Sequence, residues 1–311
     1  MYETKNTLQW TDEGIQEIWE PLVQDLLNSE TIFFAQAPRK AVRSINHQFV
    51  AREGRNPAVG PIISLDAITG SFANKIELTH KLKQYRAGVS IEDARVLEAR
   101  NNGIGPLKDA WASEFQYVIE DLASDINGAF YADSQTEGFA TGTVANPMDG
   151  LRGLLTTGRT IYGQSDSTYS VLRSNEDTST TTWTFAAFRA WLTTLRKNGG
   201  KDFRVYTTHE NKDIILNKME ANKLYMGTSS EAGFIGVPTI DGVKIIPDKD
   251  CPDDHMFIVD ERAYYIAEFQ PFTLGAPLGK SNLTDTKYIW GISDIVFTKF
   301  NTSYKCTAIT A

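Results

Sequence analysis

Residues 107–131 read LKDAWASEFQYVIEDLASDINGAFY, and this stretch restricts the fold more than any other. Apolar side chains fall at Leu107, Trp111, Phe115, Val118, Leu122, Ile126 and Phe130. Steps of three and four residues place one apolar stripe on an α-helix. Pro106 stands just before it, where a missing N–H costs little. Lys108, Glu114, Glu120, Asp121 and Asp125 lie off the stripe. At 1.5 Å rise per residue the helix is about 37 Å long, well beyond an average globular helix. On its own it predicts a core helix of an α+β domain.

The 311 residues suffice for two domains or one elaborate one. Hydrophobic residues make up 41% and charged residues 23%, the balance of a folded rather than a disordered chain. The formal net charge of −8 argues against global attraction to nucleic acid or anionic membrane. Cys251 and Cys306 lack CxxC spacing and read as two reduced thiols. No apolar run approaches the ~18 residues of a membrane span. The N-terminus (MYETKNTLQW) has no signal-peptide core, which predicts a soluble product outside the general secretory route.

Residues 12–28 place Ile15, Ile18, Trp19, Leu22, Val23, Leu26 and Leu27 on one face of an arm helix capped by Thr11, with Pro21 as a kink or restart. NHQFVARE reads as a strand running into a Gly/Pro/Ser/Asn-rich tip. KIELTHKLKQYR then alternates, with Ile76, Leu78 and Leu82 on one face and Lys75, Glu77, Lys81, Lys83 and Tyr85 on the other. The two runs predict one long hairpin whose return arm reaches about 40 Å. Such a ribbon is marginal in water without a partner surface, its own sheet or another copy. Lys75, Lys81, Lys83 and Arg86, with His80, form a local basic patch on that arm. SIEDARVLEAR predicts a short helix with a capping box from Ser90 to Asp93. Residues 163–182 are almost wholly polar and read as an exposed connection into a second module.

In that module TWTFAAFRAWLTTLRKNGG is a helix ended by Gly199–Gly200, DFRVYTT a buried strand, and Thr208 the cap of a helix with Ile214, Ile215 and Met219 inward. GFIGVPTIDGVKIIPD holds two short strands about an Asp241–Gly242 turn. HMFIVDERAYYIAEF gives two strands split at Asp260–Glu261, and the chain closes in strands around a turn near Asn301.

Chemistry-bearing patterns are sparse. The four histidines lack HxxxH or HxH spacing, and a His47–His80 zinc site across the hairpin is short of two ligands. GxSxG, P-loop and GxGxxG motifs are absent. The sequence therefore predicts no catalytic residues, no cofactor and no metal, although a soluble α+β hydrolase is an alternative.

The order is distinctive: arm with helix, long hairpin with a Gly/Pro tip, VSIEDARVLEAR, one long helix, GLRGLL, an α/β module and closing strands. With the strings LTHKLKQYRAGVSIEDARV and FIGVPTIDGVKIIPD, it resembles the major capsid protein of tailed bacteriophages and related archaeal viruses, the Hong Kong phage type of shell fold, shared with encapsulins. The resemblance implies an arm at 1–35 and an extended loop with flanks at 36–90. It implies a peripheral domain at 91–149 with residues 107–131 as its spine helix, an axial domain at 150–258, and closing peripheral strands at 259–311. The beam stripe is then Trp111, Phe115, Val118, Leu122 and Ile126. Trp19, Leu22, Lys75, Lys81, Lys83 and Arg86 become assembly contacts.

The implied function is a non-enzymatic virion protein, assembled in the host cytoplasm into hexamers and pentamers of itself and then into an icosahedral shell around double-stranded DNA. Scaffolding, portal and cement proteins are implied further partners, DNA contacts are weak and non-specific, and no membrane is involved. There is no room before the arm for a large assembly domain, which implies a separate scaffolding protein or a removed segment. An encapsulin-type nanocompartment is the alternative within this fold, and the long arm favours a virus. Some members of the family join a loop lysine to an asparagine with help from a glutamate. Lys75 and Asn301 are tempting candidates, but no glutamate follows Glu268, so no autocatalytic crosslink is expected.

Overall fold

The computed structural model describes residues 32–54, 56, 59, 73–92, 104–133, 148–179, 181–221, 238–275, 284–307 and 309–310. The arm helix expected at 12–28, most of the hairpin tip and the run 93–103 lie outside these residues. The fold class is α+β, as expected.

The first described elements are α1 (Ile32–Gln36), β1 (Arg39–Ala41), and the ribbon strands β2 (Asn46–Arg52) and β3 (Lys75–Lys81). β2 and β3 pair antiparallel, with His47 opposite His80 as the hairpin reading anticipated. The return arm is not one strand. It breaks at Leu82, whose N–H bonds to Ile45 O, and resumes as β4 (Lys83–Glu92) in a different sheet. β4 runs through Ser90 to Glu92, where a helix and capping box were expected. Ser90 sits opposite Thr286, because an open edge of a neighbouring strand offers a full ladder of hydrogen bonds.

The long helix α2 spans Ile104–Tyr131, 28 residues or about 42 Å. Pro106 lies inside its first turn, where N–H groups have no helical acceptor. α3 (Leu151–Leu154), the β5–β6 hairpin (Thr160–Ile161, Gln164–Ser165), β7 (Asn175–Asp177) and β8 (Thr181–Thr182) follow. The polar run 163–182 is therefore not simply an exposed connection: Asp166, Val171, Leu172 and Ser174 are buried. Its polar groups find partners inside. Glu176 accepts from Lys305 Nζ at 2.7 Å and from Thr157 N at 2.9 Å, and Asp166 accepts from Gly158 N at 2.7 Å.

The second module follows the sequence reading closely. α4 (Phe185–Lys197) is capped by Thr184, whose hydroxyl accepts from Ala187 N. β9 (Phe203–Thr207) leads to α5 (His209–Ala221), capped by Thr208 Oγ1 accepting from Asn211 N at 3.2 Å. β10 (Thr239–Ile240) and β11 (Val243–Pro247) meet at Asp241–Gly242, whose φ values of 52° and 83° are those of a tight I′-type turn. β12 (Met256–Asp260), β13 (Tyr264–Leu274), β14 (Thr284–Phe297), β15 (Tyr304–Cys306) and β16 (Ile309–Thr310) complete the chain.

Two sheets organise these strands. One has the order β1-β13-β14-β4, and the other β10-β11-β9-β12-β15-β7. The second is covered on both faces, and strand alternation divides its side chains. Val205, Ile245, Met256 and Ile258 enter a core with Trp183, Phe188, Leu192 and Leu195 of the α4 region. Tyr206, Ile246, Phe257 and Val259 enter the other core, with Phe33, Phe130 and Tyr131. The closing segment is not confined to the first sheet. β15 joins β12 and β7, and Cys306 and Ile309 join the α4-side core, so the expected division at 258/259 is crossed by the returning chain.

α2 buries Phe115, Leu122 and Ile126 as expected, while Val118 is only half-buried at the rim. Ile119, fully buried, takes its place: steps 115, 119, 122, 126 and 130 track the 3.6-residue period. The backbone of Trp111 is helical, and its side chain lies outside the described residues.

Candidate functional site

The base of the ribbon carries the densest set of buried charge. Alternation puts Ile76, Leu78 and His80 of β3 on the inner face with Phe49 and Ala51 of β2. Phe49 and His80 both pack on the Tyr162 ring, at centroid distances of 5.2 and 5.0 Å. Tyr162 occupies the β5–β6 turn with φ 52°, and its hydroxyl accepts from Phe297 N. His47, across from His80, lies 2.7 Å from the Tyr265 hydroxyl through Nε2.

His80 Nε2 lies 2.9 Å from Asp294 Oδ2 and 3.9 Å from Asp149 Oδ2, and Lys83 Nζ lies 3.8 Å from Asp149 Oδ1. All four side chains are essentially without solvent contact. Asp294 Oδ1 also accepts from Asp149 N and Ile295 N, at 3.0 and 2.8 Å. The carboxylate of β14 thus pins the turn before α3 and the ribbon base together. Burial works against charge on His80, but the hydrogen bond and charge of Asp294 and the charge of Asp149 outweigh it, and the His80 pKa is raised. Among the described residues the two carboxylates face Lys83 and His80, and His80, Asp149 and Asp294 lie close enough together to hold a metal ion.

The basic patch divides. Lys75 and Arg86 are exposed and Lys81 is half-buried, but Lys83 is buried and turned inward. The break at Leu82 resets the alternation, so Leu82 and Lys83 both face the interior. On the outer face Arg52 stands opposite Lys75, and Val50, 53% exposed, opposite Glu77. Like charges directly opposite destabilise an isolated ribbon. Trp19 and Leu22 lie outside the described residues. The exposed side of α2 is acidic, with Asp121 and Asp125 beside Tyr117, which is 61% exposed.

A cleft of about 400 Å³ between ribbon and body is lined by Arg52, Glu53, Val171, Asn198, Lys299 and Asn301. Glu53 thus lines the same cleft as Asn301. The Glu53 carboxylate is engaged by Asn74 Nδ2 at 2.6 Å.

Sequence reasoning missed Asp149, Tyr162 and Asp294. Asp294 did leave a signal, a lone charge within the apolar run IWGISDIVF. His80 left another, falling in step with Ile76 and Leu78.

A long helix, a two-stranded ribbon, a four-stranded sheet and a helix-backed second sheet make up the architecture. No family model matches the chain, and no curated protein matches it. Solved structures do match. A cyanophage A-1(L) capsid subunit superimposes with a TM-score of 0.66 at 13% identity, over 91% of this chain and 93% of that one. The capsid of a native GTA particle gives 0.61 at 11% identity, over 100% and 94%. The SrpI encapsulin of Synechococcus elongatus gives 0.58 at 10% identity, over 88% and 86%. The chain has the Hong Kong phage type of capsid fold.

Proposed function

We propose that this protein is the repeating subunit of a viral shell, assembling through rings of itself into a closed icosahedral capsid around double-stranded DNA. The observation that carries the reading is the likeness to capsid subunits over nearly the whole chain, covering both sheets, the long helix and the ribbon. A role as structural material follows, with scaffolding, portal and cement proteins as further partners. Among the described residues no helix is long and apolar enough to cross a membrane.

The ribbon's outer face supplies a contact between copies. Arg52 and Lys75 of the ribbon, with Arg86 of β4, would meet the acidic side of α2 in a second copy, where Asp121 and Asp125 lie on the exposed side with Tyr117. Each surface pair contributes little, about 0–1 kcal/mol. Repetition around closed rings multiplies small contributions into a stable shell. The arm, with Trp19 and Leu22, would add a second grip.

Negative-stain microscopy of the expressed protein tests the reading. Closed shells or capsomer rings are expected, and a uniformly monomeric sample would refute it. Lys75→Glu should reduce assembly at low salt, and adding Asp121→Lys should restore it; no rescue would remove this contact. The likeness to an encapsulin supports a second reading, a cellular compartment. Packaged nucleic acid favours the virus, and packaged protein the compartment.

A further inference from the structure

We propose that the buried His80–Asp294–Asp149–Lys83 cluster is a proton-operated latch fastening the ribbon to the body, closed when His80 is protonated and weakened when it is neutral. The geometry carries this. His80 sits on β3, the last ribbon strand before the chain crosses at Leu82 into the four-stranded sheet. Its partners belong to other elements, Asp294 to β14 and Asp149 to the turn before α3, and Asp149 is in turn paired with Lys83 of β4. One imidazole therefore joins the ribbon to two parts of the body.

The charge count decides the state. Among the described residues, with His80 protonated, two cations face two carboxylates. With His80 neutral, one negative charge is left over in a site closed to water, where unbalanced charge is costly. Among the described residues His80 Nδ1 has no hydrogen-bond partner, so the contacts that respond to its charge lie on the Nε2 side.

The remaining groups around His80 titrate elsewhere. His47, opposite on β2, has its pKa lowered by burial, Lys40 and His80, so it is already neutral where the latch operates. Burial lifts Tyr85 of β4 to about 12 and Tyr162 of the β5–β6 turn well above the usual phenol range. Tyr265, which meets His47, is also pushed up by burial, to about 12. The folded-state pKa of His80 is raised, so its contribution is fully present below the unfolded value of about 6.5. It is lost as pH rises through the folded value. The ribbon is therefore held most firmly below about pH 6.5 and loosened as pH rises from there through the folded value.

Amide hydrogen exchange of the full-length protein, corrected for the intrinsic rate at each pH, tests this from about pH 6 to about pH 9.5. Protection in β2 and β3 should fall by up to about tenfold per pH unit between about pH 6.5 and the His80 midpoint and level off above it, while β12 stays protected. In His80→Gln the ribbon profile should be flat. Two further variants guard against a His80→Gln chain that fails to fold. Lys83→Met removes a repelling cation and should move the midpoint up. Asp149→Asn removes an attracting anion and should move it down. A flat wild-type profile, the same pH dependence in His80→Gln, or midpoints unmoved by Lys83→Met and Asp149→Asn would each overturn the latch.

Discussion

Phe33 is the most exacting point at which to perturb this fold. It belongs to α1, a helix of only five residues, too short to hold itself. Its ring lies 4.9 Å from Tyr206 of β9, 5.5 Å from Tyr264 of β13, and 5.4 and 6.2 Å from Phe130 and Tyr131 of α2. One side chain with no solvent contact thus joins the beam helix to both sheets. Truncation to alanine loses the transfer energy of the ring and leaves a cavity walled by aromatic rings that cannot easily collapse, a loss of about 3–5 kcal/mol. That is a large part of a typical stability of about 5–15 kcal/mol. In urea unfolding of the disassembled subunit, a slope near ~3 kcal/mol/M converts it to a midpoint lowered by about 1–1.7 M, with the slope unchanged. Val50→Ala, at an exposed ribbon position, should stay within about 0.5 kcal/mol. A midpoint shift under about 0.3 M for Phe33→Ala would refute the claim that this ring ties α2 to the sheets.

Four further outcomes are expected. A Cβ at Gly150 would lie 2.1 Å from Ala132 O and 2.7 Å from Ala129 O, both backbone atoms that cannot rotate aside. Gly150→Ala should therefore cost about 1–3 kcal/mol or more in thermal unfolding, whereas Gly88→Ala, with nothing within 4 Å, should not destabilise. Phe115→Asp should abolish assembly by unfolding the core packed on α2, while Gln116→Asp, one residue away and exposed, should assemble; soluble shells from Phe115→Asp would contradict a structural role for this face of α2. Burial pushes the Cys251 thiol up strongly and the Cys306 thiol to about 12, so neither should react with a disulfide reagent near pH ~8 until the chain is denatured. Particles boiled in detergent should give the 34.7 kDa single chain, and a ladder of covalent multiples would show that the expectation of no crosslink fails.

Much of the fold was legible because its signals are local. The stripe of α2, the Asp241–Gly242 turn, the Thr208 cap and the split at Asp260–Glu261 each depend on residues within a few positions of one another. The polar run 163–182 misled for the converse reason. Its partners, Lys305 and the Thr157 region, come from elsewhere in the chain, so no local pattern marks it as buried.

The sequence by itself determined the α+β class, the long helix α2, the pairing of the ribbon, the order of elements in the second module and the likeness to capsid folds. Periodicities of 3.6 and 2 residues, together with turn chemistry, are written along the chain. Only the tertiary structure decided that Lys83 points inward, that the last strands return to the second sheet, and that His80 meets Asp294 across 214 residues. These facts depend on which strand edges pair and in which register. A one-residue change of register at Leu82 exchanges the buried and exposed faces of everything that follows in the strand. The basic patch read from the sequence was thus in part a buried anchor, and its remaining outward charges, Lys75 and Arg86, are the ones available for the proposed contact with another copy.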